Sequence, residues 1–235
     1  MNSKKDQPVA LIAGVAPGLG ESLVRRFIAE GYQVFGMARS NRMQDRLGDL
    51  DGYFHIECDL TDPEAVSGKI NEIEAAHGAF SVAVCNAHKL HIASFLETTT
   101  DDLETVWQNT CFSAMTVAKA VIPSMLSQKT GTIIFTGATA GLRGGAKFSA
   151  FASAKFALRG FAQALAREFQ PQGIHVVHAI LDGLLWEEQT IERFDPPQEK
   201  CLDPDAVAEA YMGLVLQDQS VWTHEIDFRP FTENF

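Results

Sequence analysis

The sequence predicts a single doubly wound α/β domain over residues 1–235, a parallel sheet with helices on both faces. Three observations predict it. Short, near-continuous apolar runs alternate with stretches of helical periodicity along the whole chain. The runs lack polar alternation, so both of their faces are buried, as in parallel sheets covered by crossover helices. The chain's 235 residues, 46% of them hydrophobic, suffice for one domain with a substantial core.

The elements follow in order. Residues 9–13 form the first strand, which stops at Gly14. Leu23, Val24, Phe27 and Ile28 then recur at helical spacing until Gly31. Residues 32–38, 53–58, 80–85, 131–136 and 174–181 are the further strands. Helices are expected at about 62–77, 101–127 and 149–169. The irregular stretch is 183–203, rich in Glu and Pro, which reads as a loop or lid over the site. No linker, repeat or low-complexity segment interrupts the pattern.

A net charge of −11 and a pI near 5.0 oppose binding to nucleic acid or anionic lipid, which would be repelled at long range. A small anionic cofactor needs only local positive potential and is not excluded. Residues 1–7 are polar, and the first apolar run is too short for a signal core. No apolar segment is expected to approach the roughly 20 residues of a membrane helix, so a cytoplasmic protein without a membrane partner is expected. Cys58, Cys85, Cys111 and Cys201 form no C-x-x-C pair and read as reduced thiols. The seven histidines show no H-x-x-x-H spacing, and no metal site is expected.

Ala13-Gly14-Val15-Ala16-Pro17-Gly18-Leu19-Gly20 joins the first strand to the first helix. Glycines there allow a tight turn and close approach of backbone N–H groups to a pyrophosphate, and the helix N-terminus adds its dipole. An ordinary glycine-rich turn would look similar, so the order of further landmarks matters. The spacing is G-x-x-x-G-x-G; Cys58-Asp59-Leu60 follows the third strand and Asn86-Ala87 the fourth. Asn109 lies in one long helix and Phe151-x-x-x-Lys155 in another. In this ordered set, residues 8–228 resemble the short-chain dehydrogenase/reductase superfamily. The resemblance implies a Rossmann-type fold with Gly14, Ala16, Pro17, Gly18, Leu19, Gly20, Asp59, Leu60, Asn86, Ala87, Lys155 and Gly183 at the cofactor.

Relatives that prefer NAD carry an acid at the end of the second strand for the ribose 2′-hydroxyl. Ala38 stands there instead, followed by Arg39 and Ser40. A guanidinium suits a 2′-phosphate through charge-assisted bonds, unless Arg39 is simply a solvated surface residue. NADP(H) is the expected cofactor and NAD(H) the alternative.

The resemblance also implies four catalytic roles. A tyrosine protonates the nascent alkoxide, and a lysine lowers that tyrosine's pKa and holds the nicotinamide ribose. A serine donates to the carbonyl oxygen, and an asparagine supports a relay water. Asn109 and Lys155 match two of these roles. Phe151 takes the tyrosine position, and Ala138, thirteen residues before it, takes the serine position. The chain therefore reads as a divergent member lacking the catalytic Ser and Tyr. General acid catalysis contributes about 10²–10⁴-fold. One oxyanion donor contributes about 10²–10³-fold, and the two losses do not simply multiply. Ordinary alcohol–ketone interconversion should be severely weakened.

Nearby polar residues differ in how well their positions could replace these groups. Ser153 lies roughly 200° around the helix from Phe151, Thr136 nearly 7 Å (roughly two residues) back along a strand from Ala138, and Thr139 is in a turn of unknown direction. His88 replaces the glycine expected after Asn86-Ala87, where an imidazole could donate a proton near physiological pH or could simply pack on a loop. Asp182 precedes Gly183 where proline is usual, and it reads as a ligand contact or a cap for the following helix.

Residues 184–193, with Trp186, Glu187 and Glu188, suggest an apolar pocket wall with an acidic rim for an unidentified small molecule. Arg143 brings a cation near the site or is a solvated loop charge. The 149–169 helix is apolar on more than one face, and the resemblance implies that it pairs with the 101–127 helix across a two-fold axis. A homodimer or homotetramer is expected. Two functions follow: an NAD(P)-dependent oxidoreductase with an atypical catalytic site, or a catalytically inactive NADP(H)-binding sensor or scaffold.

Overall fold

The computed structural model describes residues 7–232. In chain order, the first half contains β1 (Val9–Ala13), α1 (Leu19–Ala29), β2 (Gln33–Ala38), α2 (Arg42–Leu47), β3 (Tyr53–Glu57), α3 (Pro63–His77) and β4 (Phe80–Cys85). The next part contains α4 (Thr100–Trp107), α5 (Ser113–Gln128), β5 (Gly131–Thr136), α6 (Ser149–Phe169) and β6 (Ile174–Leu181). The last part contains β7 (Leu184–Leu185), α7 (Glu188–Phe194), β8 (Cys201–Leu202), α8 (Pro204–Val215) and β9 (Glu225–Phe228).

Seven parallel strands run in the order β3-β2-β1-β4-β5-β6-β9. The sheet grows outward from β1 in both directions, so a crevice opens where the order reverses, at the carboxyl ends of β1 and β4. The unbroken apolar runs are explained by burial on both faces. Val9, Leu11 and Ala13 share one core with Val66, Val117 and Leu158, whereas Ala10 and Ile12 share the other with Leu23, Phe27 and Tyr211. Strand registers are regular: Val9 pairs with Gln33 and Ala13 with Met37.

Several elements depart from the expectations. The helix expected at 101–127 is two helices joined by a π turn, Gln108–Phe112, which holds Asn109. The 183–203 stretch is not simple loop, because β7 and β8 pair there and enclose α7. Helices α2 and α8 and strand β9 were not expected, although Asp203-Pro204 repeats the capping pattern of Asp62-Pro63. The helical run Thr100–Gln128 is, by length and composition, apolar enough to cross a bilayer, against the expectation that no segment approaches this. More than half of its apolar window (56%) is buried in the protein itself, which accounts for the apolarity through the core. Helix α6 is not buried all round: Leu158 and Ala162 face the core, whereas Phe156 is 44% exposed.

Candidate active site

The nucleotide end of the crevice is made of backbone. Gly14 has φ +96°, and a Cβ there would lie 2.6 Å from Ala87 Cα. Its N–H and that of Val15 both donate to Met37 O, at 2.9 and 3.1 Å. From the other side, Asn86 N–H and Ala87 N–H donate to Ala13 O at 2.8 and 3.1 Å, and Asn86 Nδ2 donates to Gly14 O at 3.2 Å. Asn86 and Ala87 therefore brace the loop. Gly18, at φ +91°, is the N-cap of α1 and supplies no side-chain cap; Glu21 N–H donates to Ala16 O at 3.0 Å, which leaves the Leu19 and Gly20 N–H groups to an anion. Ala16 and Pro17 carry the loop between these glycines, and Gly20 lets α1 approach Val15, whose Cα would lie 3.0 Å from a Cβ.

Arg39 and Asp59 converge beside this loop. Asp59 accepts from Thr61 N–H and Oγ1 at 2.9 and 2.8 Å. Those bonds, with the Arg39 guanidinium nearby, hold its carboxyl below the usual range. The Leu60 side chain is buried in the core, and its carbonyl accepts from the buried Thr116 Oγ1 at 2.7 Å.

The chemical end is different. Lys155 is 2% exposed, and its Nζ donates to Thr136 O at 2.7 Å. Burial pushes its pKa down to about 7, weakly opposed by the Cys111 thiol. The ammonium lies 5.6 Å from the centre of the Phe151 ring. Phe151 packs in a small apolar cluster with Val106 and Ala140, against which Ala138, Leu90 and Trp107 also pack. His88 does reach this place, its ring centroid 6.1 Å from that of Phe151. His88 is exposed by surface area, yet desolvation of its ring, with the Lys155 charge, pushes its pKa down to about 4. Desolvation therefore works against the protonated imidazole at the position where a proton donor is expected.

The other candidate groups are engaged elsewhere. Asn109 Nδ2 donates to Thr105 O at 2.8 Å. Ser153 Oγ donates to Ala150 O, and Thr136 Oγ1 accepts from Tyr211 at 3.2 Å. Thr139 Oγ1 donates to Asp182 at 2.5 Å. Asp182 is neither a helix cap nor open to a ligand: its buried carboxylate meets Arg143 at 3.6 Å and Arg229 at 3.3 Å. Gly183 is packed against Pro230, whose Cδ would lie 2.8 Å from a Cβ.

One residue was not placed correctly from sequence. Glu187, expected on a substrate rim, reaches the phosphate loop: a Cβ on Gly18 would lie 2.7 Å from Glu187 Cβ. Burial raises the Glu187 pKa, and a hydrogen bond from Leu19 N–H partly opposes that rise. An anion is thus already seated on the α1 N-terminus, and the donor set fits a dinucleotide pyrophosphate. Glu188 bonds Arg46 at 2.6 Å and Arg42 at 3.2 Å. The adjacent acids were visible in sequence, but no local pattern showed which cations or amides they would meet. A surface recess of about 840 Å³ lies at the opposite ends of the strands around Lys129, Gln172 and Trp222, remote from this chemistry.

Comparison with known proteins gives a consistent picture. The short chain dehydrogenase family model matches residues 8–185. The 3-oxoacyl-acyl-carrier-protein reductase FabG of Salmonella typhimurium is 27% identical over 184 residues, covering 77% of this chain and 75% of that one. A short-chain dehydrogenase structure from Rhodopseudomonas palustris is 32% identical, with TM-score 0.82 over 95% of this chain and 99% of the other. An alcohol dehydrogenase from the archaeon Thermococcus sibiricus, complexed with 5-hydroxy-NADP, shares the fold at 21% identity and TM-score 0.87, covering 97% and 99%.

Proposed function

The chain belongs to the short-chain dehydrogenase family, and from that premise we propose an NADP(H)-dependent oxidoreductase whose proton-donating position is empty. Phe151 and Ala138 stand where the family's tyrosine and serine would act. The observation that carries the reading is the pairing, across one crevice, of an anion-accepting α1 N-terminus with the buried Lys155. The amides of the 14–20 loop would hold the pyrophosphate, Arg39 the 2′-phosphate and Lys155 the ribose. When bound, the dinucleotide supplies or accepts a hydride. The protein's part is then to orient the acceptor against an apolar wall of Phe151, Leu90 and Trp107 and to exclude water. The substrate is a small molecule whose reduction needs no strong side-chain acid.

Calorimetric titration with NADPH and, separately, NADH tests this. Micromolar NADPH binding with NADH at least about tenfold weaker is expected from a charge-assisted phosphate contact. Equal or reversed affinities would overturn the Arg39 assignment, and no binding of either would overturn the enzyme reading.

A second reading is a nucleotide-binding sensor or scaffold without turnover. It is favoured by one observation: the hydroxyls of Thr136, Thr139 and Ser153 are all engaged elsewhere, and His88 is uncharged. Binding without hydride transfer in a single-turnover assay would select it. The open flank of α6 at Phe156 supports a homodimer or homotetramer under either reading; a monomer by light scattering would refute that assembly.

A further inference from the structure

The 184–202 segment touches the nucleotide end at two places, and both contacts are made by carboxylates. β7 and β8 anchor it, with Trp186 N–H donating to Leu202 O at 2.8 Å, and the buried Thr190 pins α7. Between these anchors Glu187 and Glu188 face different partners. Glu187 inserts at Gly18 and takes the Leu19 N–H, one of the donors that α1 cannot satisfy internally. Glu188 bridges Arg42 and Arg46, which lie just beyond the end of β2, and Arg46 also bonds Glu21 in the first turn of α1 at 2.9 Å. NADP(H) carries its charge as a pyrophosphate and a 2′-phosphate. The two acids therefore meet one group suited to each of those anions.

We propose that residues 184–202 form a self-inhibitory latch: Glu187 occupies the phosphate position at the α1 N-terminus, Glu188 holds the neighbouring arginines, and a dinucleotide binds only after the latch releases. This rests on the reading that the glycine loop takes a dinucleotide phosphate. The latch is metastable for a physical reason. Desolvation works against the Glu187 carboxylate, and one N–H offsets only part of that, so a more highly charged phosphate meeting several loop amides displaces it. Apparent affinity is then the intrinsic affinity reduced by the open fraction. The same contact gives Gly18 a second constraint beyond its positive φ, because a side chain there would collide with Glu187.

The test is calorimetric titration of the full chain and of Glu187→Gln and Glu188→Gln with NADPH and NADH, with amide exchange of residues 186–194 measured without nucleotide. Glu187→Gln is isosteric and partly exposed, so the fold should persist. About tenfold tighter binding of both nucleotides by Glu187→Gln is expected for a latch closed roughly nine-tenths of the time, together with faster exchange of 186–194. Glu188→Gln should tighten NADPH more than NADH, since it frees arginines suited to the 2′-phosphate. Unchanged affinity in Glu187→Gln would overturn the latch while leaving the cofactor reading intact. Weaker affinity would also overturn it, by making Glu187 a ligand contact. No binding by any variant would overturn the cofactor reading itself and the competitive latch with it.

Discussion

The two ends of the crevice follow different rules. At the nucleotide end the working groups are backbone amides, held by Gly14 and Gly18 and braced by Asn86 and Ala87. At the chemical end Phe151 packs in an apolar cluster, with Ala138 against it, beside the buried Lys155, and these two are the positions we propose have lost hydroxyls. Backbone groups cannot be removed by a substitution without disturbing the chain, whereas a side-chain hydroxyl can be lost with the packing preserved. Phenylalanine fills nearly the volume of tyrosine, and alanine that of serine. On the proposed reading, the backbone cradle persists where the side-chain proton chemistry does not.

The largest effect is expected where the two ends are made alike again. Phe151→Tyr with Ala138→Ser should raise NADPH-dependent reduction of a generic carbonyl by about 10²-fold or more. No rise in initial rate would mean that the pocket has diverged beyond those two groups. Breaking the other end should show in stability. Gly14→Ala forces a side chain onto the Ala87 backbone at positive φ, and a loss of about 2–4 kcal/mol in denaturant unfolding is expected, with nucleotide binding lost too. A near-neutral result would show that the loop is not the rigid element described.

Lys155 lies between the two ends and gives a pH signature. Its pKa of about 7 is below the ordinary 10.5, so from about pH 7 to 10.5 the folded state binds fewer protons than the unfolded chain. Stability therefore gains from this group as pH rises through that window, and the full penalty applies below it. Relative to wild type, Lys155→Met should fare about 2–3 kcal/mol better at pH 6 than at pH 9. Parallel stability–pH curves for the two proteins would contradict the depressed pKa. The smallest effect is expected at His88. Uncharged at pH 7, it donates little, and His88→Ala should keep any turnover within about twofold. Abolished turnover with unchanged nucleotide affinity would restore the imidazole as the acid.

Much of the fold was legible. Strands 80–85, 131–136 and 174–181 and helix 149–169 lie where apolar runs and periodicity placed them. These elements are long or buried on both faces, so their patterns are strong. The short α2 and α7 and the edge strand β9 had too few periodic residues to stand out, whereas α8 carries Val207, Ala208, Tyr211 and Met212 at helical spacing and was simply missed. The π turn at Gln108–Phe112 was invisible because it adds one residue per turn without changing composition, yet it sets where Asn109 points.

The candidate site divides along the same line. The sequence by itself determined the glycine loop, the places of Arg39 and Asp59 and the Phe151-x-x-x-Lys155 pattern, because each depends on residue type at a fixed place in a repeating βα unit. Only the tertiary structure decided that Glu187 sits on the Gly18–Leu19 turn, that Asp182 is held by Thr139, Arg143 and Arg229, and that the His88 imidazole is discharged. Those outcomes depend on contacts between segments far apart in the chain or on local desolvation. Neither the direction of a side chain across such a gap nor the water it loses is written in local spacing.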